Sequence, residues 1–206
     1  MGVAVVVLFL VVVMAGYYLI VKGDKAFTPK QKAGLKIVPT SLCALLALYG
    51  AATGGKAAFW FLFLGLCVCA AADWLLEFEF IKGMATFGVG HILYCIGYVL
   101  AGPVHWRSLI IFIVLFGAVF FLYTRLKSKL DQAPLYLCYA FVLCCMAALA
   151  SSRQSFLMVG GFLFVISDCM IGIGVATQNR KRWYDIAILV TYYAAQFLIA
   201  LSTVAP

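Results

Sequence analysis

Charged residues are scarce in this chain of 206 residues, since only 11% are Asp, Glu, Lys or Arg. A typical soluble domain has about a quarter of its residues charged and about half apolar. Here 67% of the residues are hydrophobic, which excludes an ordinary soluble protein and predicts one embedded in a membrane. The excess of 15 basic over 7 acidic side chains is therefore attributed to membrane orientation and lipid headgroups, and no nucleic-acid partner is expected.

Metal-binding and disulfide patterns are also missing. The only histidines are His91 and His105, and no C-x-x-C pair or Cys/His spacing typical of zinc is present. All eight cysteines fall in apolar stretches, which argues against a disulfide framework. We therefore expect no metal and no cofactor.

The apolar residues form eight long segments separated by polar residues, glycine or proline. A membrane-spanning helix needs about 20 mostly apolar residues, and a lipid-exposed backbone must satisfy its own hydrogen bonds. The sequence therefore predicts an all-α, polytopic membrane helix bundle that forms a single transmembrane domain over residues 1–206. The predicted spans are 3–21, 35–50, 57–76, 84–101, 107–124, 134–150, 155–176 and 184–203.

Basic residues alternate between the connections. The first, third, fifth and seventh connections, with Lys36 at the mouth of the second span, hold twelve of the 15 Lys and Arg residues, and the others hold three. Cytoplasmic loops are enriched in Lys and Arg. We therefore expect the odd-numbered connections in the cytoplasm and both termini on the opposite side.

Polar side chains recur in the cytoplasmic half of the predicted spans. Burying a charge at a helix centre costs about 2.5 to 3.5 kcal/mol on insertion scales, so such residues are functional candidates. With a rise of 1.5 Å per residue, Asp168 lies roughly 12 Å inside its span, and His91 lies at a similar depth. The layer holds seven residues on six spans: Lys36, Asp73, His91, Tyr139, Asp168, Tyr192 and Gln196.

Each of these residues also has a purely structural explanation. Asp73 is near enough to the end of its span to be a solvated acid, and Asp168 could pair with a tyrosine or with Lys36. His91 could be a hydrogen-bonded core histidine. Glu77 and Glu79 are expected to be solvated, and Asp185 is expected to mark the hydrated start of the last span.

Five short motifs occur in order from the second span to the eighth. They are Lys36-Ile37-Val38-Pro39, Ala72-Asp73, Gly83-x-x-x-Phe87-x-x-x-His91-x-x-Tyr94, Phe164-Val165-Ile166-Ser167-Asp168 and Thr191-Tyr192-Tyr193-Ala194-Ala195-Gln196. These segments resemble those of the lysoplasmalogenase family, the YhhN-like membrane proteins. One departure is Ala72, which replaces the family's glycine before the first aspartate and could narrow the approach to Asp73.

The resemblance implies a hydrolase that cleaves the vinyl-ether bond of a lysophospholipid, giving a fatty aldehyde and glycerophosphoethanolamine or glycerophosphocholine. Such cleavage suits one protonated and one ionised carboxyl group. Asp168, deeper in the bilayer, is expected to be the acid, and Asp73, better hydrated, the base. The expected substrate-binding residues are Lys36, at the phosphate, with His91, Tyr94, Tyr139, Ser167, Tyr192, Tyr193 and Gln196.

Two other functions are compatible with the same residues. The polar layer could bind a small solute or a proton in a transporter, although no span has the Gly/Pro-broken centre typical of such sites. An ester lysophospholipase is the nearest enzymatic rival, and the lack of a G-x-S-x-G motif counts against it.

The closing T-Y-Y-x-A-Q motif resembles that of eukaryotic members of the family, which favours the endoplasmic reticulum membrane over a bacterial inner membrane. The sequence does not determine the oligomeric state.

Overall fold

The computed structural model describes residues 2–179 and 181–205, and within them it is all-helical. All eight long helices of this part are long and apolar enough to span a membrane, which confirms the predicted fold class. A short 3-10 turn, Lys127–Lys129, follows the fifth helix. The helices are α1 (Gly2–Val21), α2 (Pro29–Gly54), α3 (Ala57–Leu76), α4 (Phe80–Leu100), α5 (Trp106–Leu126), α6 (Ala133–Ala150), α7 (Ser155–Thr177) and α8 (Arg182–Leu201).

The start of α2 differs from the predicted span, which begins at residue 35. Thr28 accepts a hydrogen bond from the backbone N–H of Gln31, and the Gln31 side chain accepts one from the backbone N–H of Thr28. This capping box, followed by Pro29 at the first helical position, satisfies the free N–H groups of the first turn. The helix therefore begins before the apolar residues do, and Lys36 lies inside it.

Six helices form a closed ring in the order α2, α3, α4, α6, α7 and α8, with α8 returning to α2. Helix α1 packs outside α2 and α8, and α5 packs mainly on α6. Helices α3 and α4 pack closely, since a Cβ atom on Gly90 would lie 2.8 Å from Cys69 Sγ. Small residues of this kind allow helix backbones to approach closely in a membrane.

The two ends of the bundle have different connections. The α1–α2, α3–α4, α5–α6 and α7–α8 connections meet at one end, called here the basic end, where Lys22 pairs with Asp185 at 3.0 Å. At the other end, Arg153 donates hydrogen bonds to the carbonyl groups of Gly102 and Pro103. Asp73, Asp168 and Lys36 of the predicted polar layer lie in the half of the bundle next to the basic end, whereas Gln196 lies in the other half of α8.

Candidate functional site

The ring of helices encloses a cavity of about 720 Å³ that reaches the basic end. This volume is within the roughly 300–1,000 Å³ usual for small-molecule sites. Five of the ten predicted site residues line it: Lys36, Asp73, Tyr139, Asp168 and Tyr192. The cavity therefore brings both candidate catalytic acids into one space, from α3 and α7.

Asp73 is completely buried and receives several polar groups. The hydroxyls of Thr40 and Tyr192 donate hydrogen bonds to its Oδ2 at 2.7 and 2.6 Å. Lys36 Nζ lies 4.0 Å from Oδ1, the Asp73 oxygen that has no hydrogen-bond partner among the described residues. Two hydroxyl donors and a nearby cation stabilise a carboxylate in this position.

A chain of hydrogen bonds extends from Asp73 into the core. Gln196 Nε2 donates to the Tyr192 hydroxyl at 3.1 Å, and the Tyr94 hydroxyl donates to Gln196 Oε1 at 2.9 Å. Each donor in this chain points toward Asp73, so the carboxylate is its final acceptor. Tyr94 and Gln196 are fully buried behind Tyr192 and do not line the cavity.

Asp168 belongs to a second network. The Tyr139 hydroxyl donates to Asp168 Oδ2 and lies 3.0 Å from His91 Nε2. Because Tyr139 directs its only hydroxyl proton to Asp168, its oxygen accepts from His91, which places a hydrogen on Nε2. None of the hydrogen bonds of the described residues uses Asp168 Oδ1, and the Asp168 side chain is 10% exposed. Asp168 therefore presents one constrained oxygen and one free oxygen.

Aromatic rings separate the two networks. The Phe164 ring centroid lies 4.6 Å from that of His91 and 5.5 Å from that of Tyr192, and both contacts are edge-on. Phe87 packs against the same three rings. No hydrogen bond between side chains of the described residues crosses this barrier, so Asp73 and Asp168 have separate proton partners.

The prediction that Asp73 is better hydrated than Asp168 is wrong. Asp73 lies nearer the end of its helix, yet 1% of its side chain is exposed, against 10% for Asp168. The reason is lateral packing, since α2 and α8 bring Thr40 and Tyr192 over Asp73. Depth along a helix therefore did not predict access to the cavity.

Glu77 was expected to be solvated, and this expectation is also wrong. It lines the cavity, lies 3.1 Å from Lys36 Nζ and accepts a hydrogen bond from the Tyr18 hydroxyl at 2.9 Å. Helical spacing offered a signal for Glu77 and for Thr40, which lie four residues after Asp73 and Lys36 respectively. Tyr18, on α1, has no comparable local signal.

Ser167 and Tyr193 are not brought into the cavity lining. Ser167 Oγ donates to the Ile188 carbonyl at 3.2 Å, and the Tyr193 hydroxyl donates to the Lys36 carbonyl at 2.9 Å. These bonds fasten α8 to α7 and to α2. Ala72 is buried and likewise lies outside the lining, so its methyl group does not narrow the cavity.

Asp185 was expected to mark the hydrated start of the last span. It lines the mouth of the cavity and is paired with Lys22.

As for metals, no group of three or more His, Cys, Asp or Glu side chains converges as a metal site would in residues 2–179 and 181–205.

Comparison with known families identifies the chain. The model of the YhhN family matches residues 31–203, which is most of the sequence. The chain therefore belongs to the YhhN family, the family of lysoplasmalogenases. Helix α1 precedes the matched residues. Neither a curated protein nor a solved structure matches the chain.

Proposed function

We propose that this YhhN-family member is a membrane hydrolase that cleaves the vinyl-ether bond of lysoplasmalogens. The products are a fatty aldehyde and glycerophosphoethanolamine or glycerophosphocholine. The observation that carries the proposal is the placement of two acids with unlike partners, Asp73 and Asp168, on one cavity of about 720 Å³. Pairs of acids in different surroundings are typical of acid/base division of labour.

The reaction requires a proton at carbon and a water molecule. Protonation of the outer alkene carbon leaves an oxocarbenium ion at the carbon bonded to oxygen. Water adds to that carbon and loses a proton, giving a hemiacetal. The hemiacetal then collapses to the aldehyde and the glycerol alcohol, so one water is consumed and no net proton is gained or lost.

Asp168 is assigned as the acid. Its Oδ2 is held by Tyr139, while Oδ1 makes no hydrogen bond with the described residues and belongs to a side chain that lines the cavity. A proton on Oδ1 can therefore reach a substrate carbon without breaking the contact with Tyr139. Positioned proton transfer of this kind contributes about 10² to 10⁴ in rate.

Asp73 is assigned as the base that receives the proton from water. The sequence argument for this role was hydration, whereas the structural argument is the set of donors on Oδ2 and the cation near Oδ1. These contacts stabilise the ionised carboxylate and leave Oδ1, which is buried beside Lys36, without a hydrogen-bond partner among the described residues. Proton return to Asp168 after turnover requires water in the cavity, because the aromatic barrier separates the two networks.

An amphipathic lipid suits the remaining lining. Phe80, Ile81 and Met84 on α4 face the cavity together with Ile171 and Val175 on α7, whereas charged groups gather at the basic end. Lys36 remains the proposed phosphate contact, in competition with Glu77. His91, Tyr94 and Gln196 then act through Tyr139 and Tyr192. The substrate enters from the surrounding bilayer, and we propose that this bilayer is the endoplasmic reticulum membrane.

Purified protein in detergent tests this function when it is given vinyl-ether and ester lysolipids with the same headgroup. We expect aldehyde from the vinyl ether and no fatty acid from the ester. Fatty acid release alone would indicate an ester lysophospholipase. Cleavage of neither lipid would contradict a hydrolase and favour transport by the same cavity.

A further inference from the structure

The seam between α6 and α7 is tight at the end of the bundle opposite the basic end. A Cβ atom on Gly161 would lie 3.1 Å from both Ala147 Cα and Ala150 Cβ. Contacts this short leave no space between the two helices. The α6–α7 seam is therefore closed at this end of the bundle.

The same face of α7 is open near the cavity. Gly172 follows Gly161 by eleven residues, which is three helical turns, so the two lie on one face roughly 16 Å apart along the axis. A Cβ atom on Gly172 would meet no atom within 4 Å. Between them, Tyr139 on α6 reaches Asp168 on α7. The helices therefore separate between Asp168 and the basic end.

The gap opens into the cavity, and outside the ring α5 and the Lys127–Lys129 turn also contact α7. Val175, less than one turn after Gly172, lines the cavity and is also 39% exposed. Tyr136, one turn before Tyr139 on α6, lines the cavity from the other side of the gap. The gap is thus bordered by apolar and aromatic groups, with Asp168 at its inner edge.

Named contacts close three other boundaries at this level. Tyr18 bonds to Glu77 between α1 and α3, and Tyr193 bonds to the Lys36 carbonyl between α8 and α2. A Cβ atom on Gly174 would lie 3.1 Å from Tyr184 of α8. Toward the middle of the bundle, Phe87 lines the cavity and its ring packs against that of Phe164. The α1–α3, α2–α8 and α7–α8 boundaries therefore each carry a direct contact at this level, unlike the α6–α7 gap at Gly172.

We propose that the α6–α7 gap is a lateral portal through which the hydrocarbon tail of a single-chain lipid extends from the cavity into the bilayer. The inference rests on the proposed function, since it assumes a lipid substrate. A tail that stays in the hydrocarbon region avoids the cost of transfer into a polar cavity. The geometry places the first carbons of such a tail beside Asp168 and the headgroup toward the basic end.

Gly172→Leu tests the portal, and Gly117→Leu is the matched control. Neither glycine has an atom within 4 Å of an added Cβ, but Gly117 lies on α5 and away from the cavity. Aldehyde release is measured with a long-chain and a short-chain vinyl-ether lysolipid of the same headgroup. Gly172→Leu should lower the long-to-short ratio of kcat/KM by about tenfold or more, as bulk in an apolar pocket does. Gly117→Leu should keep the wild-type ratio.

Val175→Trp, at the outer edge of the gap, gives a second variant and should shift the ratio in the same direction. An unchanged ratio in both folded variants, or an equal loss with both lipids, would overturn the portal. Wild-type failure to release aldehyde from either lipid would instead overturn the proposed function.

Labelling with a lysophospholipid that carries a diazirine in its tail tests the portal without turnover. We expect adducts near Tyr136 and Val175 that Gly172→Leu reduces. Adducts confined to other helices would overturn the portal even if the enzyme is active.

Discussion

The ammonium group of Lys36, on α2, lies 3.1 Å from Oε1 of Glu77, the residue that directly follows α3. The same ammonium lies 4.0 Å from Asp73 Oδ1, so one largely buried cation serves two acids. A buried acid that loses its cation is strongly disfavoured, because the remaining charge has no compensation. Lys36 therefore supports the charge of the proposed base in addition to any contact with substrate.

Lys36→Met should reduce both stability and aldehyde release, because it leaves Asp73 and Glu77 without a cation. The Lys36→Met/Glu77→Gln double variant should lose less stability than the sum of the single variants, with a coupling of about 0.5 to 3 kcal/mol. Unfolding of the purified proteins in detergent measures this coupling, and Lys36→Arg is the charge-preserving control. Strict additivity of the two changes would contradict the ion pair.

Tyr139→Phe should destabilise the protein by about 1 to 3 kcal/mol, because it removes a donor to Asp168 and leaves His91 Nε2 without its acceptor. It should also lower aldehyde release by releasing Asp168 Oδ2. Tyr98→Phe is the matched control, since the Tyr98 hydroxyl is buried and has no hydrogen-bond partner among the described residues. Equal effects of the two substitutions would contradict the Tyr139–Asp168 network.

The eight apolar segments of the sequence predicted the eight helices, because the hydropathy of a segment depends only on its own residues. The helix boundaries depend on local caps, and the Thr28–Gln31 box begins α2 before its apolar run. The site required the packing of separate helices. Nothing within α3 shows that α8 covers Asp73, or that Lys36 reaches Glu77. Ser167 and Tyr193 belong to the family motifs and were predicted to bind substrate, yet their hydroxyls donate hydrogen bonds to backbone carbonyls.

Membrane orientation is a separate prediction from the charges of the connections. A tag inserted between α1 and α2 should react with a membrane-impermeant reagent from the cytosol, and a tag after residue 205 should not. The reason is the concentration of Lys and Arg in the connections at the basic end. Cytosolic labelling of the C-terminal tag, with protection of the first connection, would reverse the orientation and place the cavity mouth on the other side.

The two aspartates provide the central test of the mechanism. Asp73→Asn and Asp168→Asn should each lower turnover by about 10² to 10⁴, the range for a positioned acid or base. The double variant should be little worse than the poorer single variant, because the two groups act in one reaction. Asp24→Asn is the control, since this exposed carboxylate contacts only the Ala26 backbone N–H and lies outside the cavity lining.

The most direct measurement is the rate of aldehyde release from a vinyl-ether lysolipid by folded Asp168→Asn protein, compared with wild type and Asp24→Asn. We predict near-complete loss in Asp168→Asn and a wild-type rate in Asp24→Asn. A near-normal rate in Asp168→Asn would contradict the account, because the proton would then come from a group other than the carboxyl that Tyr139 holds at the cavity wall.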